Sequence, residues 1–333
     1  MLIPLLRSIA NPAAPRWAPV RISAEEARPI SRAVIMLVAF NDCTGEPEVL
    51  GSGFMIATQP ELVALTATHV ITEWVDKVRP PAAHAFRGLH GDVDDLLRRI
   101  DDVVQKHLIR AVVRCRSQGG YRLCKLAALT LPPDPWDIDV ACLRFRLPGW
   151  TTHPDFDALP IDADPHPFGT PVMMAGWVSG SWTLPEYEDH PFNVNQELDV
   201  RAAFNLGPVT SPPPRFKGDM YPIDAPSEPG MSGGPLLAVR REHGSQRLIL
   251  TAKGVISRDR IAPAKTAADE ANPNETWVSP IEHALLMRYP VLPPQSGWLL
   301  DAVRAGSIRS YGQRVFSARL ELLDNNMIRL HWV

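Results

Sequence analysis

Cysteine is scarce in this chain: four residues in 333, Cys43, Cys115, Cys124 and Cys142, none in a CxxC pair. That count excludes a disulfide-built scaffold and gives no pattern for a structural zinc site. Cys115 and Cys124 flank the turn Ser117-Gln118-Gly119-Gly120, where they either face each other across a hairpin or stay buried as free thiols. No apolar run approaches the roughly 18 residues that a membrane helix needs. The apolar stretch before Arg7 is also too short for the core of a secretory signal, so the expected location is cytoplasmic. An excess of one charge sign is missing as well, with 34 Lys+Arg against 37 Asp+Glu and a net charge of −3. Nothing electrostatic points to nucleic acid or an anionic membrane as partner. Repeats of fixed period and low-complexity segments are absent too.

Proline, by contrast, is abundant, at 34 residues, about twice the usual ~5% share. Pairs and triplets such as Pro132-Pro133, Pro212-Pro213-Pro214 and Pro293-Pro294 mark connections, because a fixed φ and a missing N–H suit loops better than ladders. Between them lie short runs rich in Val, Ile, Leu and Phe. Strands are expected at Ala33–Phe40, Val49–Ile56, Leu62–Thr66, Ile109–Cys115, Tyr121–Leu129 and Ile138–Phe145. A second set is expected at Pro171–Ala175, Leu198–Phe204, Pro235–Val239, Leu248–Ser257 and Trp277–Ser279. Helical spacing of Val93, Leu96, Leu97, Ile100, Val103 and Val104 predicts an inserted helix between Asp92 and Ile109. Ile281–Met287 and Trp298–Ala305 also read as helices, and Val315–Leu323 with Met327–Val333 as a hairpin turning at 324–326. The resulting division is an arm (1–30), a first barrel with its insertion near 80–110 (31–148), a second barrel (149–293) and an extension (294–333).

Three segments carry chemistry. Pro229-Gly230-Met231-Ser232-Gly233-Gly234-Pro235-Leu236 sets a serine among glycines before a strand, which permits positive φ and two N–H groups aimed at one point. Leu65-Thr66-Ala67-Thr68-His69-Val70-Ile71 places a histidine just past a buried strand, and Asp137-Ile138-Asp139-Val140-Ala141 places a carboxylate at the head of another. Alone, each has an ordinary structural explanation as a turn, a strand-end histidine or a capping aspartate. Together, in the order His, Asp, Ser, they read as a hydrolytic triad. An α/β-hydrolase would show the order Ser, acid, His and a strand-to-helix elbow at the serine, whereas Pro235 and a strand-like run follow Ser232.

These blocks, with Gly51-Ser52-Gly53-Phe54, resemble the successive signatures of trypsin-like serine proteases over roughly residues 33 to 287. The stretch from Ile223 to Leu236 is similar to the nucleophile block of HtrA-like bacterial proteases, although no PDZ-like segment follows. The resemblance implies an all-β double six-stranded barrel with a helical insertion and a C-terminal extension. It also implies a serine endopeptidase with Ser232 as nucleophile, His69 as general base, Asp139 orienting the base, and the amides of Gly230 and Ser232 as oxyanion hole. A peptide substrate would lie along Gly254, Ile256, Ser257 and Arg258, with Pro226 near the pocket floor, where it offers no charge for Lys or Arg. Digestive trypsins carry an aspartate before the nucleophile that pairs with a newly cut N-terminus; Met231 stands there instead, so activation by N-terminal insertion has no partner. No cofactor or metal is expected. A protein or peptide is the expected partner, with a regulatory partner conceivable at the extension. The alternatives are a non-catalytic peptide-binding module on the same fold and a serine esterase of another fold.

Overall fold

The computed structural model describes residues 24–59, 61–81, 92–115, 120–146, 156–165, 168–178, 198–205, 220–241, 248–257, 275–290, 297–312, 314–322 and 328–332. Helix α1 (Ala24–Ala33) runs directly into strand β1 (Val34–Phe40), and β2 (Pro47–Ala57) and β3 (Leu62–Thr66) follow as antiparallel neighbours. Two helices, α2 (Thr68–Val78) and α3 (Val93–Gln105), separate these from β4 (Ile109–Arg114), β5 (Tyr121–Thr130) and β6 (Ala141–Phe145). The six strands close into a barrel in the order β1-β2-β3-β6-β5-β4. Runs such as Val34–Phe40 and Leu62–Thr66 lack polar alternation because both faces are covered, one by the barrel interior and one by helices or the other barrel.

A second six-strand set repeats this layout. Strand β7 (Ile161–Asp162) precedes it, and β8 (Pro171–Trp177), β9 (Leu198–Phe204), β10 (Tyr221–Asp224), β11 (Pro235–Arg241), β12 (Leu248–Ser257) and β13 (Glu275–Pro280) form it. The hydrogen-bonded path is β10-β13-β12-β11-β8-β9, and an isolated bridge between Asn205 and Ile223 brings the end of β9 back to β10. Followed round from β8, the order is first, second, third, sixth, fifth, fourth, the same as in the first barrel. The chain is therefore the all-β double barrel that the resemblance implies.

The segment after the second barrel, α4 (Glu282–Leu285), α5 (Leu299–Arg304), β14 (Ser310–Tyr311), α6 (Arg314–Ser317), β15 (Ala318–Leu322) and β16 (Ile328–Trp332), is built into the body of the protein. Strand β14 pairs in parallel with β7, and β7 pairs in parallel with β12. Arg314 Nη1 donates to Ala163 O at 3.0 Å, so the extension is tied to the chain that connects the barrels. It contains two departures from expectation. Val315 lies in the helical turn α6 rather than in a strand, and the apolar run 281–287 is helical only over Glu282–Leu285. The expected turn at 324–326 lies outside the described residues.

Helix α1, in what reads as an arm, and the short strands β7 and β14 were not expected, and neither were β10 and α2. Strand β10 contains Pro222, a residue that ordinarily argues against a ladder. Helix α2 has the sequence Thr-His-Val-Ile-Thr-Glu-Trp-Val, whose β-branched residues suggest a strand. It forms because Val70, Ile71, Trp74 and Val75 share one buried face at helical spacing. The expected inserted helix is α3, capped by the Asp92 side chain, which accepts from Asp94 N at 3.0 Å. It buries Leu96, Ile100 and Val103, whereas Leu97 faces outward.

Where β7, β12 and β14 meet, Lys253 Nζ lies 3.1 Å from Asp162 Oδ1, with side chains 3% and 0% exposed. Asp162 also accepts from Thr251 Oγ1 at 3.2 Å, and the ammonium donates to Asp164 O. Removing one member of such a pair leaves a buried charge uncompensated. Lys253→Met is expected to lower stability by about 3–5 kcal/mol, read as a lower urea midpoint at unchanged slope. An unshifted midpoint would contradict the role given to this pair.

Candidate active site

Strands β3 and β6 are antiparallel neighbours with Thr66 opposite Ala141, so the residues just after β3 and just before β6 meet at one end of the first barrel. That register brings His69, in the first turn of α2, to Asp139. The N-cap of α2 is Ala67, which has no side chain able to accept from the exposed amides of the first turn. Asp139 supplies that acceptor from the neighbouring strand: its Oδ1 takes the His69 amide at 3.0 Å. Its Oδ2 lies 2.7 Å from His69 Nδ1 and also accepts from the Ser257 hydroxyl. The carboxylate is 2% exposed. Burial pushes its pKa up, but the charge of His69, its two hydrogen bonds to that residue and the one from Ser257 together hold it below the ordinary aspartate value. An ionised carboxylate can only accept, so Nδ1 of His69 carries the proton and Nε2 is the basic nitrogen.

Ser232 sits on the turn between β10 and β11. Gly233 has φ of 86°, and a side chain there would run into Ser52 O, Thr66 Oγ1 and Ala67 N of the first barrel. Gly230 has φ of 98°, also in the region that glycine enters without a steric penalty. Amides along the turn differ in what they bind. Met231 N donates to Glu228 O at 3.0 Å, Gly233 N to Ile256 O at 2.8 Å and Gly234 N to Met231 O at 2.9 Å. Gly230 N and Ser232 N donate to no acceptor among the described residues. Because N–H and C=O point opposite ways across a trans peptide, turning the Met231 carbonyl toward Gly234 directs the Ser232 amide away from that turn.

Ser52, on β2, connects the two barrels at this turn. Its amide donates to Ser232 O at 2.8 Å, its hydroxyl donates to Gly230 O at 2.7 Å and accepts from Trp177 N at 2.8 Å, and its carbonyl accepts from Thr66 Oγ1 at 2.7 Å. All of its polar groups are engaged within a residue that is 0% exposed.

His69, Ser232 and Gly230 line one cavity of about 250 Å³, together with Leu50, Val70 and Trp74. Its outer wall carries Glu48, Glu73 and Lys77 from β2 and α2, with Lys77 2.7 Å from Glu48. The arrangement offers a basic imidazole nitrogen, a hydroxyl and two undonated amides beside one space, which is suited to acyl transfer.

Other residues singled out in the sequence are placed differently. Gly254 and Ile256 do not present a strand edge: Gly254 pairs with Leu236 on one side and Pro280 on the other. Ile256 donates to Gly234 O and accepts from Gly233 N, both at 2.8 Å. They lie inside the sheet, where Ile256 holds the turn that carries Ser232, and periodicity alone cannot tell an interior strand from an edge one. Ser257 is at the site, where its hydroxyl donates to Asp139. Arg258 lies outside the described residues. Pro226 precedes the turn that carries Ser232, outside the cavity lining, and its carbonyl accepts from Arg201 Nη1 at 3.0 Å. Sequence reasoning missed Ser52 as the link between barrels and Arg201 altogether; each acts on partners distant in sequence.

No protein-family model matches the chain, and no curated protein matches it. Among solved structures it is similar to the Rv3671c protease from M. tuberculosis in its active form, at 15% identity over 80% of this chain and 85% of that one, with a TM-score of 0.45. The inactive form of the same protease matches at 15% identity over 82% and 95% of the two chains, with a TM-score of 0.42.

Ser257→Ala is expected to destabilise the protein by about 1.5–3 kcal/mol near neutral pH, the range for a hydrogen bond to a charged group. The folded-state pKa of Asp139 is depressed, so its stabilisation is complete above the unfolded value of about 3.9 and is lost as pH falls through the lower folded value. The gap between wild type and variant should therefore close in acid. Urea melts at pH 7 and at a descending series of pH values below about 3.9 measure it; a gap that stays constant down to acid unfolding would contradict the assignment.

Proposed function

We propose that this chain is a serine endopeptidase that hydrolyses peptide bonds of protein substrates through an acyl-enzyme. The observation that carries the reading is the short His69–Asp139 pair at a buried carboxylate, opening on the same cavity as Ser232 and Gly230. Ser232 Oγ would attack the scissile carbonyl while His69 Nε2 takes its proton. Asp139 would fix the imidazole tautomer and stabilise the imidazolium, without itself being protonated. The carbonyl oxygen, as it becomes an oxyanion, would be received by the amides of Gly230 and Ser232. Collapse of the tetrahedral species would release the amine with the proton that His69 carried, and water would then repeat the sequence on the acyl-enzyme.

The cavity is walled by first-barrel residues on the side of His69, which hands its proton to the departing amine. On this reading it receives the leaving-group half of the substrate. An intracellular setting is part of the proposal and is supported by the scarcity of cysteine, four residues with no CxxC pair.

Turnover of denatured casein or a peptide library by wild type and variants tests this. Ser232→Ala and His69→Ala should each lower kcat by roughly 10⁴-fold or more, and the double variant should be no worse than either single one. Asp139→Asn should fall in the same range, because it permits the wrong tautomer. Turnover that survives Ser232→Ala would rule the mechanism out.

A further inference from the structure

The two limbs of the nucleophile turn are held by different parts of the protein. Ser52 fixes the later limb from the first barrel, through Gly230 O and Ser232 O. On the earlier limb, Ala225 is fixed by Thr276 Oγ1, which donates to its carbonyl at 2.6 Å. Between Ala225 and Gly230 the chain has no regular structure, and Met231, immediately before the nucleophile, is buried and uncharged. No ion pair can hold the turn at that position.

Charge reaches this stretch from β9 instead. Arg201 Nη1 donates to Pro226 O at 3.0 Å and Nη2 to Glu228 Oε1 at 3.0 Å, while Nε is held by Asp199 Oδ2 at 2.6 Å. The Arg201 side chain is 15% exposed, whereas the carboxylate of Glu228 that it meets is open to solvent on its other side at 44%. Asp199, two residues away on the same strand face, fixes the plane of the guanidinium before it meets the loop. A planar fork with three donors engaged in fixed directions positions a backbone segment in a way that a single ammonium cannot. Among the described residues, polar contacts to residues 226–229 from outside the nucleophile turn come from Arg201. Inside the turn, Glu228 then takes the Met231 amide at 3.0 Å, so the position of Glu228 sets that of Met231 and of the two amides flanking it.

We infer that Arg201 is a positioning residue: its grip on Pro226 and Glu228 holds the turn so that Gly230 presents its amide to the oxyanion, with no proteolytic cut needed to assemble the site. This rests on the hydrolase reading of Ser232. The contribution is to transition-state stabilisation, because the oxyanion exists only there.

The test compares Arg201→Ala, Arg201→Lys and Glu228→Gln with wild type in the full chain, reading kcat, KM, melting temperature and fluorophosphonate labelling. Arg201→Ala should lower kcat by about ten- to a hundredfold with KM within about twofold, as expected for loss of part of an oxyanion hole. Arg201→Lys should recover part of the loss, and Glu228→Gln should cost about threefold in kcat without a change in melting temperature. A folded Arg201→Ala variant with wild-type kcat, or one that raises KM alone, overturns the proposal. Should Arg201→Ala fail to fold, unchanged kcat in both other variants does the same. Wild type that labels and turns over while the variants are unaffected removes the clamp and leaves the hydrolase reading standing. Wild type that does neither removes both.

Discussion

The structure depends on the contact that Ser52 makes with the turn that carries Ser232. A site divided between two barrels requires their relative placement to be fixed to better than about 1 Å, and loops alone do not fix it. Here an interior strand of the first barrel binds the turn of the second through its backbone and its side chain together. Because every polar group of Ser52 is engaged and the residue is fully buried, moving either barrel would strand hydrogen-bonding groups away from water. Gly233 completes the fit, since any side chain there would collide with the same first-barrel backbone.

Much of this was legible in the sequence, and the reasons are local. The glycine-flanked serine, the histidine after a buried strand and the aspartate before another are each short blocks, and their order distinguishes one hydrolase architecture from another. The strands at Leu62–Thr66, Leu198–Phe204 and Leu248–Ser257 have the bounds that their apolar runs and flanking turn residues suggest. What was hidden depends on distant partners. Helix α2 lacks a capping side chain in its own sequence because its cap is Asp139, seventy residues on. Gly254 and Ile256 look like an available edge until β11 and β13 are seen on either side of them. Arg201 looks like an ordinary outward residue of a strand, and its significance appears only when residues 226 and 228 fold back onto it.

Charge placement follows the same economy of partners. Asp139 is a buried carboxylate, which is costly in itself, yet three donors, the facing imidazole among them, keep it ionised. The same groups cap a helix, set the histidine tautomer and attach the end of β12 to the first barrel. Lys253 and Asp162 do a comparable job where the C-terminal extension joins the connecting chain. That extension supports the fold from outside the described cavity.

The most direct measurement is the mass of the intact protein after exposure to a fluorophosphonate, followed by peptide mapping of the adduct. The account predicts one adduct per chain, on Ser232, formed far more slowly when His69 is replaced by alanine and absent in Ser232→Ala. Stoichiometric modification at another serine, or none under conditions where the protein is folded, would contradict it.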